Sequence, residues 1–323
     1  SDDASVTWGV EAVGAEASPF DGAGVKVAVL DTGIDPTHDA FSGVSLDMKN
    51  FTGGPDTEPD GNDHGTHCAG TVFGREVDGL RIGVAPGVTE AMIGKVLSDE
   101  GGGSSDMLFA GMKWAQAGGA RVISMSLGFD FPGLVESLVD DGWPPKLAAS
   151  VALEAYRGNL RAFDAIMDMF RAMAQFDGGT VVVAAAGNES ERQIDPNFEV
   201  SAALPSAAFG VVSVGAAAEG SAGLTIADFS NTNPIISAPG VNVLSAKAGG
   251  GTVAFNGTSM ACPHVAGVAA LWWQALASAS VPLTSDGVKA RLRATADPSV
   301  FAAGVDVADR GDGLSKSPSA VGS

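Results

Sequence analysis

The chain has 323 residues, of which 45% are apolar and 17% are charged, and its formal net charge is −20. This composition is typical of a folded globular protein with a large core, and the length fits one α/β domain or two smaller ones. Because nucleic acids and anionic membranes are themselves negative, the acidic excess of 38 over 18 residues argues against both as partners.

The two cysteines, Cys68 and Cys262, are too few for a disulfide framework and leave the redox compartment open. We expect two buried free thiols. No charged-then-apolar leader begins at Ser1, so we expect any signal peptide to be absent from this chain. The most apolar long stretch, 261–277, is shorter than a bilayer requires and predicts a buried core helix.

Short β-branched, apolar runs alternate with helical or glycine-rich segments along the chain. The runs predict strands at 25–31, 91–97, 120–128, 180–188 and 210–217, and helices are predicted at 105–117 and 262–277. This alternation is typical of βαβ units. We therefore predict an α/β fold with three α/β/α layers around a mostly parallel, twisted sheet. No repeat or low-complexity linker interrupts the chain, which favours a single domain over 1–323.

The segment 129–179 is longer than an ordinary crossover between two strands. Its apolar spacing predicts a helical insertion with two helices, one before and one after the sequence YRGN at 156–159. The methionine and phenylalanine stripe in its second half is more typical of core packing than of a binding face. Since the segment leaves the end of a strand, a role in covering a cleft is the alternative hypothesis.

Asp31 ends the first predicted strand and is followed by a turn at Gly33. Open α/β sheets place functional groups at the carboxyl ends of their strands. A carboxylate buried there requires a cationic or hydrogen-bonding partner, because burying an unpaired charge is costly. Asp31 is therefore a candidate functional acid, whereas Asp35 suits a turn position.

The histidines are His38, His64, His67 and His264. His64 follows a glycine-rich loop and precedes small apolar residues, which places it near a helix start at the rim of the sheet. His64 and His67 lack the further ligands of a zinc site, so we do not expect zinc. We interpret His67 and His264 as packed, hydrogen-bonded core histidines.

Ser259 lies between the turn-forming NGT and an apolar helix. One interpretation makes Thr258 or Ser259 the helix N-cap, worth about 1 kcal/mol. The other places Ser259 Oγ at the positive end of the helix, where a developing negative charge is stabilised. Cys262 lies one turn deeper, where it would pack inside the helix layer and be a poor nucleophile. The sequence GTSMA does not match the G-x-S-x-G elbow of lipases and esterases.

Asn188 follows a very apolar strand, where its amide either shapes a turn or donates to an oxyanion. Along the chain the candidates run in the order Asp31, His64, Asn188, Ser259. Acid, then histidine, then serine is the order in subtilisin, and it differs from the order in chymotrypsin and the α/β-hydrolases. The joint pattern is far more specific than any of its members.

Five blocks of the sequence resemble the signature blocks of the subtilisin-like serine protease (subtilase) family. They are VAVLDTGID, DHGTHCAGTV, ISMSLG, AAAGNE and NGTSMACPHVAG. The resemblance runs from about Trp8 to about Leu314, and 129–179 is its main interruption. It implies a serine endopeptidase that hydrolyses peptide bonds through an acyl-enzyme intermediate.

The resemblance also implies a role for each catalytic position. Asp31 orients and supports His64, which acts as general base and then as general acid, and Ser259 attacks the scissile carbonyl. Asn188 and the Ser259 backbone N–H form the oxyanion hole. If Cys68 and Cys262 lie beneath these residues, bulky thiol reagents such as mercurials should inhibit.

For substrate binding, the resemblance implies that a peptide lies as an extended strand between two segments of the chain. These are Gly101, Gly102 and Gly103 on one side and Ser126, Leu127 and Gly128 on the other. The S1 pocket, which takes the P1 side chain before the scissile bond, is expected to have walls at Ala185, Ala186 and Gly187, a base at Ala203 and a rim at Glu189. Such a pocket suits large uncharged P1 side chains with broad specificity, and Glu189 also suits lysine. The alternative is a dedicated precursor-processing protease or transpeptidase whose cleft is narrowed by 129–179.

A serine residue, Ser105, stands where the family often has a tyrosine closing the S4 pocket, which predicts a more open subsite.

The chemistry implies no cofactor. Structural calcium is an open expectation, since Ala40 occupies the position of the family's calcium-binding aspartate, Asp39 is one position early and Asp78 lies in the 75–81 loop. A group of acidic residues just before His64 either binds a cation or is solvated, and we favour the second; its members are Asp56, Glu58, Asp60 and Asp63.

The resemblance finally implies the protein's partners and location. Polypeptides are the expected substrates, and a prodomain or protein inhibitor is the expected protein partner. We expect a monomer that is secreted, extracellular or periplasmic. An intracellular location stays open, because acidic intracellular members of the family exist.

Overall fold

The structure, a computed structural model that describes residues 5–279 and 282–319, is built around one large sheet. Its strands are β1 Val27–Asp31, β2 Ser45–Asn50, β3 Glu76–Val77, β4 Leu80–Arg81, β5 Glu90–Lys95, β6 Val122–Met125, β7 Val181–Ala185, β8 Val212–Ala218, β9 Thr225–Ile226, β10 Ile236–Pro239, β11 Val243–Ala246 and β12 Thr252–Phe255. The large sheet has the order β10-β8-β7-β6-β1-β5-β2, and β9 pairs with β8 beside it. Only the β8–β9 pairing of this sheet is antiparallel. The pairs β3–β4 and β11–β12 form separate two-stranded sheets.

Helices cover both faces of the sheet. They are α1 Trp8–Ala12, α2 His64–Phe73, α3 Ser105–Ala117, α4 Phe131–Asp140, α5 Pro145–Asp177, α6 Thr258–Ala277, α7 Ser285–Ala294 and α8 Val307–Arg310, with 3₁₀ turns at Asp39–Phe41 and Pro298–Val300. The helices α2, α6 and α7 pack on one face, and α3 and α5 pack on the other. The predicted three-layer α/β/α fold with a mostly parallel sheet is therefore confirmed.

The central strand β1 shows why its sequence is apolar at every position. Val27 and Val29 belong to the core on the α2 and α6 side, whereas Ala28 and Leu30 belong to the core on the α3 and α5 side. Successive strand residues point to opposite faces, and both faces of this sheet are buried. Such a strand cannot show the alternation of a half-exposed one.

The segment 129–179 forms helices, but the predicted break at YRGN is wrong. The helix α4 lies within the first part, and α5 then continues for 33 residues through Gly158 without interruption. A glycine inside a helix costs about 1 kcal/mol relative to alanine. Phe163, Met167 and Phe170 are buried from the same helix, and their packing offsets that cost.

Two further features concern the apolar helices. The predicted helix at 262–277 begins earlier, at Thr258, so Ser259 lies inside its first turn. In the part of the chain that the structure describes, no helix combines the length and apolar character needed to cross a membrane.

Candidate active site

The carboxylate of Asp31 lies at the carboxyl end of β1 and is 1% exposed. Its Oδ1 accepts hydrogen bonds from the Thr32 backbone N–H and from His64 Nδ1, each at 2.7 Å. Within the described chain its Oδ2 has no hydrogen-bond partner. Among the described residues, the side chain that hydrogen-bonds to this buried carboxylate is thus the imidazole of His64.

His64 is the first residue of α2, as its sequence context predicted, and its side chain is 26% exposed. Burial opposes protonation of the ring, but the negative charge of Asp31 and the hydrogen bond to it outweigh burial and raise the pKa of His64 well above its ordinary value. With Nδ1 directed at Asp31, Nε2 is the ring atom left for a reacting group. His64 and Asp31 are therefore arranged as a general base and the carboxylate that orients it.

Ser259 lies in the first turn of α6, and the helix N-cap is Gly257, so the prediction that Thr258 or Ser259 caps the helix is wrong. Gly257 has φ 152°, a conformation that side chains rarely adopt. Ser259 Oγ donates to the Ser126 carbonyl at 3.2 Å, and Ser126 Oγ donates back to the Ser259 carbonyl at 2.8 Å.

No hydrogen bond joins Ser259 to His64 among the described residues. Catalytic hydrogen bonds in ligand-free sites are often loose and tighten only with substrate. Transfer of the Ser259 proton to His64 requires Oγ to turn from the Ser126 carbonyl toward Nε2.

Asn188 lies outside α6 and accepts hydrogen bonds from the first residue of that helix. Its Oδ1 accepts from the Thr258 backbone N–H at 2.8 Å and from Thr258 Oγ1 at 2.9 Å, while Thr258 Oγ1 accepts from the Gly187 N–H at 3.1 Å. With Oδ1 used in this way, the Nδ2 group of the exposed Asn188 is the donor available to a ligand. The amide is therefore both a brace for the helix and a donor beside Ser259.

The other histidines are structural, as interpreted from the sequence. His67 Nε2 contacts the Val243 carbonyl at 2.9 Å and the ring stacks on Phe255. His264 Nδ1 contacts the Met260 carbonyl at 2.8 Å. Burial lowers the pKa of His67 and of His264 to about 4, which keeps both rings neutral at physiological pH.

The two segments predicted to bind an extended peptide border one open cavity of about 300 Å³. Gly101, Gly102 and Gly103 form one side of it, and Leu127 and Gly128 form the other. Ser126 is buried just before them, where it is bonded to Ser259. The arrangement leaves room for a strand between exposed backbones, which is the geometry of β-augmentation.

The predicted S1 walls follow β7. Ala185 and Ala186 are buried, and the Ala186 N–H donates to the Val214 carbonyl, so these two predicted wall residues present almost no surface of their own to a ligand. Gly187 has φ 108°. Ala203 N–H donates to the Ala186 carbonyl at 2.8 Å, which fixes the predicted base against this wall. Glu189 is half-buried, and its Oε2 accepts from Asn231 Nδ2 at 2.6 Å.

Several side chains of α5 that the sequence pattern did not assign to the site line two cavities here. Asn159, with Phe163, lines the 300 Å³ cavity beside Ser105, and Tyr156 lines a second cavity beside Glu189. The prediction of a more open S4 subsite at Ser105 is therefore wrong in part, because Asn159 and Phe163 of α5 line the cavity beside it. Tyr156, Asn159 and Phe163 are spaced i, i+3 and i+7, a helical periodicity from which a shared face could have been inferred.

The residues at the position of the expected calcium site do not fit a metal. Ala40 is buried and offers no side-chain oxygen, and Asp78 lies in the turn between β3 and β4. Nearby carbonyls accept from arginines instead: Arg75 donates to Val88 O at 2.8 Å, and Arg81 donates to Val84 O at 2.9 Å.

Acidic side chains of the loop before His64 likewise accept hydrogen bonds from other groups of the protein. Asp56 Oδ1 accepts from the Asn50 N–H, Glu58 Oε2 accepts from Asn50 Nδ2, and Asp60 Oδ2 accepts from the Thr66 N–H and hydroxyl. In the described chain, the group of three acidic, histidine or cysteine side chains that converges is Asp31, His64 and Cys68, which is the neighbourhood of the candidate base.

Comparison with known proteins gives a consistent result. A family model described as the subtilase family matches residues 22–317. An intracellular serine protease of Paenibacillus polymyxa is 37% identical and covers 80% of this chain and 69% of its own length. Subtilisin DY of Bacillus licheniformis is 33% identical and covers 90% of this chain and 92% of its own.

Longer relatives and solved structures match as well. A cuticle-degrading serine protease of Arthrobotrys oligospora is 34% identical over 86% of this chain, which spans only 61% of that relative's length. The crystal structure of a cold adapted subtilisin-like serine proteinase superposes with a TM-score of 0.69 at 26% identity, covering 98% of this chain and all of its own.

The pKa of His64 gives a direct test of its pairing with Asp31. In the Asp31→Asn variant the charge that favours the imidazolium is lost while burial remains, so the titration midpoint of His64 should fall from above to below its ordinary value. Ring-proton NMR across a pH series measures this. The His264 ring, whose pKa is set mainly by burial, is the internal control that should not move, and an unchanged His64 midpoint would contradict the pairing.

Proposed function

This chain belongs to the subtilase family of serine proteases, and on that premise we propose that it is an endopeptidase whose catalytic triad is Asp31, His64 and Ser259. The observation that carries the proposal is the 2.7 Å hydrogen bond between His64 Nδ1 and the buried Asp31, at the strand edge where Ser126 holds Ser259. We further propose one catalytic domain, with 129–179 as a helical insertion in it.

The proposed reaction begins with a peptide bound in the cleft and Ser259 Oγ turned toward His64. His64 takes the hydroxyl proton as Oγ attacks the scissile carbonyl, and Asp31 stabilises the imidazolium that forms. The oxygen of the tetrahedral intermediate receives hydrogen bonds from Asn188 Nδ2 and the Ser259 N–H. His64 then protonates the leaving amine, and water releases the acyl group by the same steps in reverse.

The pKa of His64 sets the acid limit of this reaction. His64 accepts a proton only when neutral, and its pKa is raised above the ordinary value. The rate should therefore fall as the pH drops through that raised pKa, at a higher pH than an unpaired histidine would give.

The surroundings of the cleft support broad specificity with large uncharged P1 side chains. Main-chain pairing with Gly101–Gly103 and with Ser126–Gly128 would hold any sequence. Glu189 at the S1 rim supports additional acceptance of lysine. An open cavity beside Gly128 and a second one beside Phe129 favour this broad use over a cleft narrowed for one precursor or for transpeptidation.

Other parts of the proposal rest on family membership alone. They are polypeptide substrates, control by a prodomain or protein inhibitor, action as a monomer, and secretion; one relative is an intracellular serine protease, so membership is compatible with either location. The proposed chemistry uses no cofactor. We propose that any structural calcium binds away from Ala40, where no side-chain oxygen is offered.

The proposed nucleophile predicts selective labelling. A peptide phosphonate or a sulfonyl fluoride should attach to Ser259, as read by mass spectrometry of the digested protein, with parallel loss of peptide hydrolysis. The Ser259→Ala variant should be neither labelled nor active. Retained activity in that variant, or a fully folded wild type that is not labelled, would refute the proposal.

The double use of Asn188 permits a matched test of the oxyanion hole. An Asn188→Asp variant keeps an acceptor for Thr258 but loses the donor, so kcat should fall roughly 10²–10³-fold with a smaller change in KM. Its thermal midpoint should stay close to wild type. Asn188→Ala loses both functions and should also lose about 1 kcal/mol of stability, as for a lost helix cap. Near-normal kcat in Asn188→Asp would exclude this role.

The buried thiols predict sensitivity to mercurials. Cys68 Sγ lies 3.9 Å from His64 Nδ1 and 3.5 Å from the Ser259 carbonyl oxygen, whereas Cys262 Sγ lies 3.6 Å from Ser124 Oγ. Burial raises the pKa of both thiols, that of Cys262 to about 12, so alkylation should be slow. Mercury on Cys68 would displace His64.

We therefore expect a mercurial to inhibit peptide hydrolysis by the wild type and by a Cys262→Ala control, whereas Cys68→Ala should resist. Full activity after complete modification of both thiols would refute this placement.

A further inference from the structure

The helix α5 lines two cavities that both reach Phe129, the residue after the backbone segment that is proposed to bind substrate. Asn159 and Phe163 line the cavity shared with Gly101–Gly103. Leu153 and Tyr156, about one turn earlier, line a second cavity shared with Glu189 and Ala203. Phe129, which follows Gly128, borders both cavities and separates them.

The second cavity, here called the insertion pocket, has a volume of about 290 Å³. Phe131 and Pro132 from α4 and Leu153 and Tyr156 from α5 form one side, and Glu189 and Ala203 belong to the other. Within its lining, Glu189 is the one charged residue. A pocket of this size with mostly apolar walls suits a bulky hydrophobic group.

Aromatic contacts hold Tyr156 in this wall. Its ring meets Phe129 edge-on at 6.4 Å between centroids and meets Phe131 edge-on at 6.1 Å. Edge-to-face pairs at these separations are favourable beyond the area they bury. Tyr156 is thus positioned from both neighbouring segments, and Leu153 extends the same wall with a side chain that is 39% exposed.

The insertion pocket adjoins residues that are predicted to form the S1 pocket. Ala203 is common to both, and it is hydrogen-bonded to Ala186 of the S1 wall. On the opposite side, the Phe129 N–H donates to the Leu204 carbonyl at 2.7 Å, which joins the end of the Gly128 segment to the residue after the S1 base. A side chain that extended past Glu189 and Ala203 would therefore reach the open space bordered by α4 and α5.

We propose that the helical insertion forms the deep wall of the S1 pocket, with Tyr156 and Leu153 as specificity-determining residues for aromatic and long apolar P1 side chains. The proposal rests on the function proposed above and deepens it, because it assigns the substrate class to residues of this insertion. An aromatic P1 side chain gains contact with the Tyr156 ring, which a P1 alanine is too short to reach. The carboxylate of Glu189 at the entrance disfavours acidic P1 side chains by charge repulsion.

The test compares P1 residues in otherwise identical peptides. Fluorogenic peptides with alanine, leucine, phenylalanine or tryptophan at P1 are assayed with wild type, Tyr156→Ala, Tyr156→Phe and Leu153→Ala. A Leu147→Ala variant is the matched control, because Leu147 is an exposed apolar residue of the same helix outside both cavities. Active sites are counted by titration of the reactive serine, so that folding losses do not enter kcat/KM.

The wild type should prefer phenylalanine and tryptophan over alanine. In Tyr156→Ala, the ratio of kcat/KM for phenylalanine to that for alanine should fall roughly tenfold or more, the scale of losing apolar contacts in a specificity pocket. Leu153→Ala should lower the same ratio to a smaller extent. Tyr156→Phe keeps the ring and should keep the ratio, as should Leu147→Ala.

Three outcomes would overturn the proposal. Equal losses for all four P1 residues would mean that Tyr156 only supports the Gly128 segment. An unchanged ratio would mean that P1 does not reach α5. A rise in activity on large P1 residues in Tyr156→Ala would mean that the insertion obstructs the cleft. If the serine titration itself finds no reactive site in wild type, the proposed function fails first, which keeps the two failures distinct.

Discussion

The active site depends on a single buried charge, the carboxylate of Asp31. It is 1% exposed at the end of the central strand, and its Oδ2 has no partner in the described chain. Removing one member of a buried, hydrogen-bonded charge pair typically costs about 3–5 kcal/mol, because the other is left unpaired. His64 is the side chain that pairs with the buried carboxylate, and the same contact raises the pKa of the His64 ring.

Backbone geometry brings these two residues together. The turn after Asp31 requires Gly33, which has φ 112°, and α2 begins against this turn at His64. A Cβ at Gly65 would overlap the Gly33 carbonyl, so only glycine permits the helix to start this close. Thr32 Oγ1 then accepts from the Gly65 N–H at 2.9 Å and locks the approach. The glycines of DTG and HGT are thus steric requirements for the Asp31–His64 contact.

A second set of contacts ties the proposed nucleophile to the proposed substrate cleft. Ser126 and Ser259 exchange hydrogen bonds, and Asn188 bonds to Thr258, the residue before Ser259. The first turn of α6 is therefore held by groups from the ends of β6 and β7, in place of a cap of its own. Because these hydrogen bonds position both the proposed peptide-binding segment and Ser259, a displacement of one would also displace the other.

The sequence by itself determined the layers, most of the strands, and the residues proposed to do chemistry. Buried parallel strands and amphipathic helices follow from local periodicity, and the order of Asp31, His64, Asn188 and Ser259 with their glycines is specific enough to identify the family. Element boundaries near Thr258 and the continuity of α5 through Gly158 were not predictable, since packing against distant residues decides them.

Only the tertiary structure decided how α5 relates to the cleft. Tyr156 and Asn159 share a helical spacing with Phe163, but that spacing does not say which part of the protein their face of α5 contacts. They lie at the two cavities because α5 packs against α3 and α4 and shares a hydrophobic core with the sheet. Local patterns report a residue's own secondary structure, whereas contacts between segments distant in sequence arise from side-chain packing, which no local pattern encodes.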